Sequence, residues 1–401
     1  MVPNLRFPQF IESWNNYIVS ELLTTFPTNS LSWDQLVKNQ DSTLKNLHYG
    51  LIHNGFETTC ITGENQLFPY IKHSFIPTRY ALIQNGDLIL ADASEDRKDV
   101  GRPVEMLDIG NQKIVSGLHT IHARNKTDLI VNGFKGFYFQ SSAMKRQIFK
   151  IANGSKIYGI SSSAFNELKM FIPKKQEQKK IIDLMIKIEE RIQTQSKIIE
   201  EYVILKNSLI HRFFTMDNPK VKLSTILTEI NIKNKNKQID TVLSVSNKLG
   251  FIKQSEQFED REVASDDTSN YKIVNKGDYA YNPARINVGS IARLINYDKG
   301  IISPMYSCFK INEKKITYTY FDMFLSSFSF KRQLNKKLEG SVRQCLTFEG
   351  MLSMDIELPC IETQKSISNK IDMLNYKIKL ESDYREALIK QKQFLLNNMF
   401  I

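Results

Sequence analysis

Length, composition and charge describe a folded, modular and basic chain. Its 401 residues include 54 Lys and Arg against 43 Asp and Glu, which gives a formal net charge of +11, and 41% are hydrophobic. This content suffices for packed cores, and the length predicts two or three domains of about 100–200 residues each. No stretch approaches the roughly 20 apolar residues of a membrane span, and no signal-peptide core opens the sequence. We therefore expect a cytoplasmic protein that has no membrane partner.

The cysteine pattern argues against a disulfide framework and a zinc site, because the sequence has no Cys-x-x-Cys pair and no His at zinc-finger spacing. We expect four buried free thiols: Cys60, Cys308, Cys345 and Cys360. The positive charge favours a polyanionic partner such as nucleic acid, although charge alone does not identify one.

Residues 1–172 predict a globular α+β domain. Short apolar runs alternate with turn residues, as where Tyr80–Ile83 precedes a Gly-Asp turn, and this pattern is typical of strands and tight turns. Cationic side chains that can contact phosphates or base edges lie near such turns: Arg97, Lys98, Arg102 and Lys156. For each of them, an ordinary solvated loop residue is the alternative.

Residues 173–215 predict one long helix, because about 40 residues after Pro173 contain neither Gly nor Pro. Apolar residues recur at alternating spacings of four and three, which is the seam of a coiled coil. Polar residues interrupt this seam at Gln195 and Lys206. Its apolar positions are Ile181, Met185, Ile188, Ile192, Ile199 and Leu209.

The second half of the chain predicts the same order of elements. Residues 216–358 predict a second α+β domain, with candidate DNA-binding residues Arg285, Asn287, Arg293 and Arg343. Residues 359–401 predict a second long helix after Pro359. Its apolar seam positions are Ile367, Ile371, Leu374, Ile378, Leu388 and Leu395.

The two halves are related by an internal repeat at a constant offset of 186 residues. The stretch Lys145–Gln147 recurs as Lys331–Gln333, and the register continues through both predicted helices. Further pairs at this offset are Gly154 and Gly340, Pro173 and Pro359, Gln178 and Gln364, Gln195 and Glu381, Lys206 and Lys392, and Phe214 and Phe400. Two unrelated amphipathic helices would not share this phase, so we interpret the chain as a duplicated unit whose first part has diverged.

No motif in the sequence indicates an active site or a metal site. The tetrapeptide Asn282–Arg285 partly matches the Asn-Pro-Pro-aromatic motif of amino-methyltransferases, but it lacks the second Pro and the aromatic residue. A Walker loop, a nucleophile elbow and a zinc metalloprotease motif are also missing. We therefore predict a chain that is not an enzyme and has neither catalytic nor metal-binding residues.

Several motifs resemble the DNA-specificity subunit of type I restriction–modification systems, over essentially the whole chain. Leu5–Phe10, followed by Trp14, is similar to the opening of these subunits. Gly159–Ser161 and then Glu177–Ile181 are similar to the passage from a recognition domain into a conserved helix, and Glu362–Lys365 repeats the second motif.

The resemblance implies an α+β fold in which two target-recognition domains are separated by two long antiparallel coiled-coil helices, with a pseudo-twofold internal repeat. Each domain would read one half of a bipartite sequence in double-stranded DNA, and the helices would fix the spacer. Two methyltransferase subunits would dock on the chain and bring S-adenosylmethionine, and motor-nuclease subunits would add ATP and Mg²⁺. This chain itself would bind no cofactor. The alternative function is a non-catalytic scaffold of two modules with no specific DNA target.

Overall fold

A computed structural model describes residues 1–56, 58–62, 68–215, 219–257, 267–340 and 344–401. The chain divides into two compact units. Unit 1 comprises residues 1–197 and 381–401, and unit 2 comprises residues 198–380. Elements are numbered β1–β23 and α1–α11 in chain order, and four short 3₁₀ helices accompany them: Trp33–Gln35, His73–Phe75, Leu223–Thr225 and Ile286–Val288.

Unit 1 contains thirteen described strands, which form two larger sheets and two strand pairs. The strands are β1 Asn15–Ile18, β2 Leu23–Phe26, β3 Leu36–Val37, β4 Leu44–Leu47, β5 Cys60–Thr62, β6 Tyr70–Ile71, β7 Leu88–Ala91, β8 Ala93–Ser94, β9 Pro103–Asp108, β10 Lys113–Ser116, β11 Thr120–Asn125, β12 Tyr158–Gly159 and β13 Lys169–Ile172. The sheets have the orders β2-β11-β7-β9-β5 and β10-β4-β6-β3, and the pairs are β1-β13 and β8-β12.

The core of unit 1 lies between the five-stranded sheet and helices α3, α4 and α6. The helices that begin in this unit are α1 Val19–Leu22, α2 Tyr49–Asn54, α3 Phe134–Gln140, α4 Ser142–Ile151, α5 Ser162–Asn166 and α6 Lys175–Phe213. Three aromatic residues of α3, Phe137–Phe139, are fully buried, as expected for core residues. The buried ammonium of Lys135 lies 2.9 Å from a Glu105 carboxylate oxygen, which neutralises the cation inside this core.

The described residues of unit 2 form two four-stranded sheets and one strand pair. Its strands are β14 Lys220–Lys222, β15 Leu227–Ile230, β16 Val242–Ser246, β17 Gly250–Lys253, β18 Lys272–Asn275, β19 Tyr279–Tyr281, β20 Ile291–Arg293, β21 Lys299–Ile302, β22 Ser307–Ile311 and β23 Asp355–Glu357. The sheets have the orders β15-β22-β19-β20 and β17-β16-β21-β18, and β14 pairs with β23. The helices that begin here are α7 Gln254–Gln257, α8 Tyr318–Ser326, α9 Phe328–Lys337, α10 Phe348–Leu352 and α11 Ile361–Asn398.

Helices α6 and α11 confirm the prediction of two long helices, with 39 and 38 residues. In unit 1, Glu189 of α6 contacts Lys392 of α11, and Gln195 contacts Glu381. The residue number of the partner in α11 falls as the residue number in α6 rises, so the paired segments run antiparallel. The twelve apolar seam positions named above are all buried or half-buried.

The repeated glutamines form equivalent hydrogen bonds in the two units. In unit 1, Gln178 donates to the carbonyl oxygens of Leu129 and Pro173 and accepts from the Val131 amide. In unit 2, Gln364 donates to Lys315 and Pro359 and accepts from Thr317. The second repeated pair, Gln147 and Gln333, acts similarly. Gln147 forms hydrogen bonds with the backbone amide and carbonyl of Lys169, and Gln333 forms the same two bonds with Asp355. The repeat therefore preserves equivalent hydrogen bonds at the start of each long helix and beside the strand that precedes it.

Two sequence expectations are wrong. Tyr80–Ile83 is not a strand: Leu82 forms a single β-bridge with Val115, and the strand of this region, β7, follows the Gly-Asp turn. The cysteines are free, but only Cys308 is buried: Cys60 and Cys345 are half-buried, and Cys360, which directly precedes α11, is exposed. Across the part of the chain that the structure describes, no helix is both long and apolar enough to cross a membrane.

Candidate nucleic-acid interface

A short hairpin recurs at equivalent positions of the two units. In unit 1, Asn153 and Gly159 exchange two backbone hydrogen bonds of 3.0 and 2.8 Å, and the enclosed turn presents the exposed Lys156. In unit 2, Glu339 and Cys345, each 186 residues further on, exchange bonds of 2.9 and 2.8 Å. The predicted site residue Arg343 lies outside the described residues.

The repeated glycine in this hairpin has a conformational reason. Gly154 has φ +144° and Gly340 has φ +108°, values that L-residues with a side chain rarely adopt. A Cβ atom at position 154 would also lie 1.8 Å from the carbonyl oxygen of Ile157. The backbone conformation at these two positions therefore favours glycine.

In unit 1, the loop that carries Arg97 and Lys98 lies against this hairpin, because β8 pairs with β12. The Arg97 guanidinium stacks 4.3 Å from the ring centre of Phe149 and donates to the Ala152 carbonyl at 3.3 Å. Lys98 is exposed, and within the described chain its ammonium forms no hydrogen bond or ion pair. The structure thus brings Arg97, Lys98 and the Lys156 hairpin together at one edge of unit 1.

Arg102 stands apart from this group, since it is bound to the end of a helix. Its guanidinium donates to the carbonyl oxygens of His53, at 2.6 Å, and Phe56, at 3.4 Å, just where α2 ends. The same region holds an ion pair of 2.8 Å between His53 and Asp99. The hydrogen bond that His53 donates to Asp99 raises the pKa of His53, and the same bond lowers the pKa of Asp99. These contacts give Arg102 a structural role within unit 1.

In unit 2, the turn after β19 occupies the corresponding place. It carries the exposed residues Arg285 and Asn287, and the Pro283 carbonyl accepts a hydrogen bond of 3.1 Å from the Leu346 amide. The Tyr281 hydroxyl donates to the Leu346 carbonyl. Because Leu346 directly follows the 339–345 hairpin, both units set a polar loop against the repeated hairpin.

A cleft of about 300 Å³ opens beside Arg285 in unit 2. Its walls carry amide side chains that the sequence analysis did not select as readers of DNA: Asn247, Gln254 and Asn282. The Gln254 side-chain oxygen is buried, and no partner for it exists among the described residues. Amide and guanidinium groups are the side chains that form paired hydrogen bonds with base edges. Asn282 belongs to the tetrapeptide that partly matches the methyltransferase motif, and in the structure it lines this cleft.

Arg293 belongs to a polar network inside unit 2 rather than to this cleft. Its guanidinium forms an ion pair of 2.8 Å with Asp322 and lies 4.8 Å from the ring centre of Tyr318. Asp322 also accepts a hydrogen bond of 2.7 Å from the Tyr279 hydroxyl. Burial raises the pKa of Asp322, although these donors act against that shift. Arg293 therefore has partners within its own unit, as Arg102 does in unit 1.

The described residues contain no group of three or more His, Cys, Asp or Glu side chains that could hold a metal ion. Comparison with known families assigns a class to this arrangement. Residues 103–201 match the family described as Type I restriction modification DNA specificity domain. This stretch extends from β9 to the first part of α6 and includes the Lys156 hairpin. The resemblance seen in the sequence is thereby confirmed at the level of the domain.

Solved structures extend the likeness to the whole chain. The S subunit of a type I restriction-modification system from M. genitalium has 12% identity and a TM-score of 0.55, over 100% of this chain and 99% of that one. A chain described in connection with complex assembly and conformational transition of the type I R-M system has 14% identity and a TM-score of 0.62, over 97% of both chains. No curated protein matches the sequence significantly. At these identities the likeness concerns the fold, and it confirms the predicted fold class.

Proposed function

We propose that this chain is the specificity subunit of a type I restriction–modification complex and reads a bipartite target in double-stranded DNA. One observation carries the proposal: each unit sets a polar loop against the same repeated hairpin, and the two loops differ in sequence. In unit 1 the loop holds Arg97 and Lys98, and in unit 2 it holds Arg285 and Asn287. A shared scaffold with different exposed groups is what two distinct half-sites require.

Within this proposal, residues 1–172 and 216–358 are the two target-recognition regions, and residues 173–215 and 359–401 are the spacer helices. The cleft beside Arg285 would read base edges of one half-site through its guanidinium and amide groups. Lys98 and Lys156, which are exposed and have no ion pair among the described residues, would contact the other half-site. Arg102 and Arg293 would instead shape their units, because their guanidinium groups are bound to backbone oxygens and to Asp322, respectively.

The proposal assigns the chemistry to partner chains. Two methyltransferase subunits would dock on this chain and bring S-adenosylmethionine, and motor-nuclease subunits would supply the ATP and Mg²⁺ dependence. This chain would contribute target recognition alone and would not be catalytic.

The test is to express the chain with the methyltransferase encoded beside it and to map methylated adenines across the host genome. We expect one bipartite motif with a fixed spacer. An Arg285→Ala variant should relax the motif in a single half-site, because each paired hydrogen bond to a base contributes about 1–3 kcal/mol of discrimination. An Arg191→Ala variant, which removes an exposed guanidinium from α6, is the matched control and should keep the motif. A stable complex that methylates no defined motif would instead favour the scaffold function.

A further inference from the structure

The repeated tripeptides Lys145–Gln147 and Lys331–Gln333 lie on helices that expose several cations. The proposed reading of the target by the loops gives these cations no role. Helices α4 and α9 carry cations at three equivalent positions, all exposed: Lys145 and Lys331, Arg146 and Arg332, and Lys150 and Lys336. Arg146 and Lys150, like Arg332 and Lys336, are four positions apart and are therefore neighbours on the helix surface. Lys145 and Lys331 lie about 100° around the helix axis from Arg146 and Arg332, so each set occupies one broad side of its helix. We call these the α4 face and the α9 face.

The two helices are held in the same way, so their faces point outwards equivalently. Ser141 and Ser327 cap the helices by accepting hydrogen bonds from the amides of Met144 and Phe330. On the opposite side, Ile148 and Leu334 are buried in the cores of their units. The two helices therefore expose the same cations at equivalent positions of the two units.

Intramolecular contacts do not account for most of these charges. Within the described residues, Lys150, Lys331, Arg332 and Lys336 form no hydrogen bond or ion pair, and Arg146 reaches only the Ser142 hydroxyl, at 3.4 Å. Lys145 differs, because burial lowers its pKa while the charge of Asp99 acts against that shift. Helix stability accounts for one pair of cations, since Lys150 and Lys336 lie in the last helical turn, where a cation is favourable. Lys145 and Lys331 lie at the fourth helical position, near the N-terminal end of the helix dipole, where a cation is unfavourable.

The α9 face also lines a basic cleft of about 320 Å³ in unit 2. There, Arg332 and Lys336 are joined by Lys337 and by two lysines of β14, Lys220 and Lys222. The carboxylates of this cleft are those of Glu357 and Asp355, which lie 3.7 Å from Lys220 and 2.9 Å from Lys222. The cations of α9 therefore exceed the negative charge beside them.

Each face lies next to the loop and hairpin described above. Helix α4 ends at Ile151, two residues before its hairpin begins, and helix α9 ends at Lys337, two residues before the second hairpin. In unit 1, Phe149 stands one turn after Lys145 and supports the Arg97 guanidinium. A duplex that contacts the hairpin and loop of a unit would therefore also meet its cationic face.

We propose that the α4 and α9 faces bind DNA backbone phosphates and contribute affinity without sequence preference. This inference rests on the proposed function. Identical cations at equivalent positions cannot distinguish two different half-sites, whereas phosphates are the same in both. The divergent loops provide specificity, and the repeated helices hold the duplex in register.

The test measures binding of the full-length chain to two duplexes, one with the methylated motif and one with that motif scrambled, over a range of NaCl concentrations. One variant combines Lys331→Ala, Arg332→Ala and Lys336→Ala, and a second combines Lys145→Ala, Arg146→Ala and Lys150→Ala. Alanine preserves helix propensity. We expect the slope of log affinity against log salt to fall by about 0.9 per lost phosphate contact, hence by about 2–3 for each triple variant. Both duplexes should lose affinity by the same factor.

Two controls separate charge from folding. A charge-retaining variant with Lys331→Arg, Arg332→Lys and Lys336→Arg should keep the wild-type slope. A charge-matched variant of exposed lysines on α11, with Lys370→Ala, Lys377→Ala and Lys379→Ala, should change the slope by less than one.

An unchanged slope in both triple variants, or a loss confined to the motif duplex, would overturn the inference and leave the proposed function intact. Failure of the wild-type chain to distinguish the two duplexes would instead contradict the proposed function itself.

Discussion

At the scale of single residues, the repeat places a lysine at the same seam position of both helices, but its partners differ. In unit 1, the Lys392 ammonium lies 2.6 Å from Glu189, whose buried carboxylate also accepts hydrogen bonds from the amide and hydroxyl of Thr59. In unit 2, the equivalent Lys206 reaches the neutral Asn375 at 3.3 Å. Only the first pair places opposite charges in a buried environment.

This difference predicts unequal costs for the same substitution. Lys392→Met leaves the Glu189 carboxylate buried and without its counter-ion, so we expect the free energy of unfolding to fall by about 3–5 kcal/mol. Lys206→Met removes a solvent-exposed hydrogen bond and should cost under about 1 kcal/mol. Urea unfolding of the two variants checks the difference. Adding Glu189→Gln to Lys392→Met should recover part of the loss, whereas equal costs for the two lysines would contradict this account.

At the scale of elements, the polar seam positions determine how α6 and α11 pair. Gln195 donates a hydrogen bond to Glu381, which lies one repeat of 186 residues further on, so the two equivalent positions of the repeat are in contact. A polar pair in an apolar seam disfavours other registers, because a shifted helix would leave its polar groups against apolar neighbours. The positions of these polar residues in the sequence therefore favour one register between the two helices.

A matched deletion tests whether these helices set the DNA spacer. Removing residues 199–205 from α6 and 371–377 from α11 takes one heptad from each helix, keeps the seam in phase and retains the Gln195–Glu381 pair. Seven helical residues span about 10 Å, so we expect the spacer of the methylated motif to shorten by about 3 base pairs. Methylation mapping reads the new motif directly. Both half-sites should stay the same, and a changed half-site with an unchanged spacer would count against the spacer role.

At the scale of the whole molecule, each unit is completed by a helix end that arrives from a distant part of the sequence. In unit 1, the Phe400 ring centre lies 5.8 Å from that of Phe134 and 5.9 Å from that of Tyr138. The Asn398 carbonyl also accepts a hydrogen bond from the Leu5 amide. In unit 2, Phe214, one repeat earlier than Phe400, packs against two aromatic residues of α8, Tyr320 and Phe324.

This arrangement predicts that equivalent substitutions destabilise different units. Phe400→Ala should destabilise unit 1, and Phe214→Ala unit 2, each by about 3–5 kcal/mol, because a buried aromatic side chain leaves a cavity. Hydrogen exchange should show lost protection in α3 for the first variant and in α8 for the second. Equal loss in both helices for either variant would show that the units do not unfold separately.

The sequence alone determined the features that depend on local order. It predicted two long helices from stretches without Gly and Pro, and it predicted the repeat register from matching residues such as Gln178 and Gln364. It also indicated the glycine of the hairpin turn at position 154. Such features follow from residue spacing and backbone preference, which a single chain displays directly. The resemblance to specificity subunits depended on the same local motifs.

Packing between distant parts of the chain determines which polar side chains remain exposed and which are bound within the protein. Arg102 and Lys98 are four residues apart, yet the first is bound to carbonyl oxygens near α2 and the second is exposed. The cleft beside Arg285 and Asn282 also gathers Asn247 from the turn after β16 and Gln254 from α7. A side chain's partners depend on contacts between residues far apart in sequence, and neither charge nor spacing encodes these contacts. The sequence therefore defined the scaffold, whereas long-range packing defined the surface that the scaffold presents.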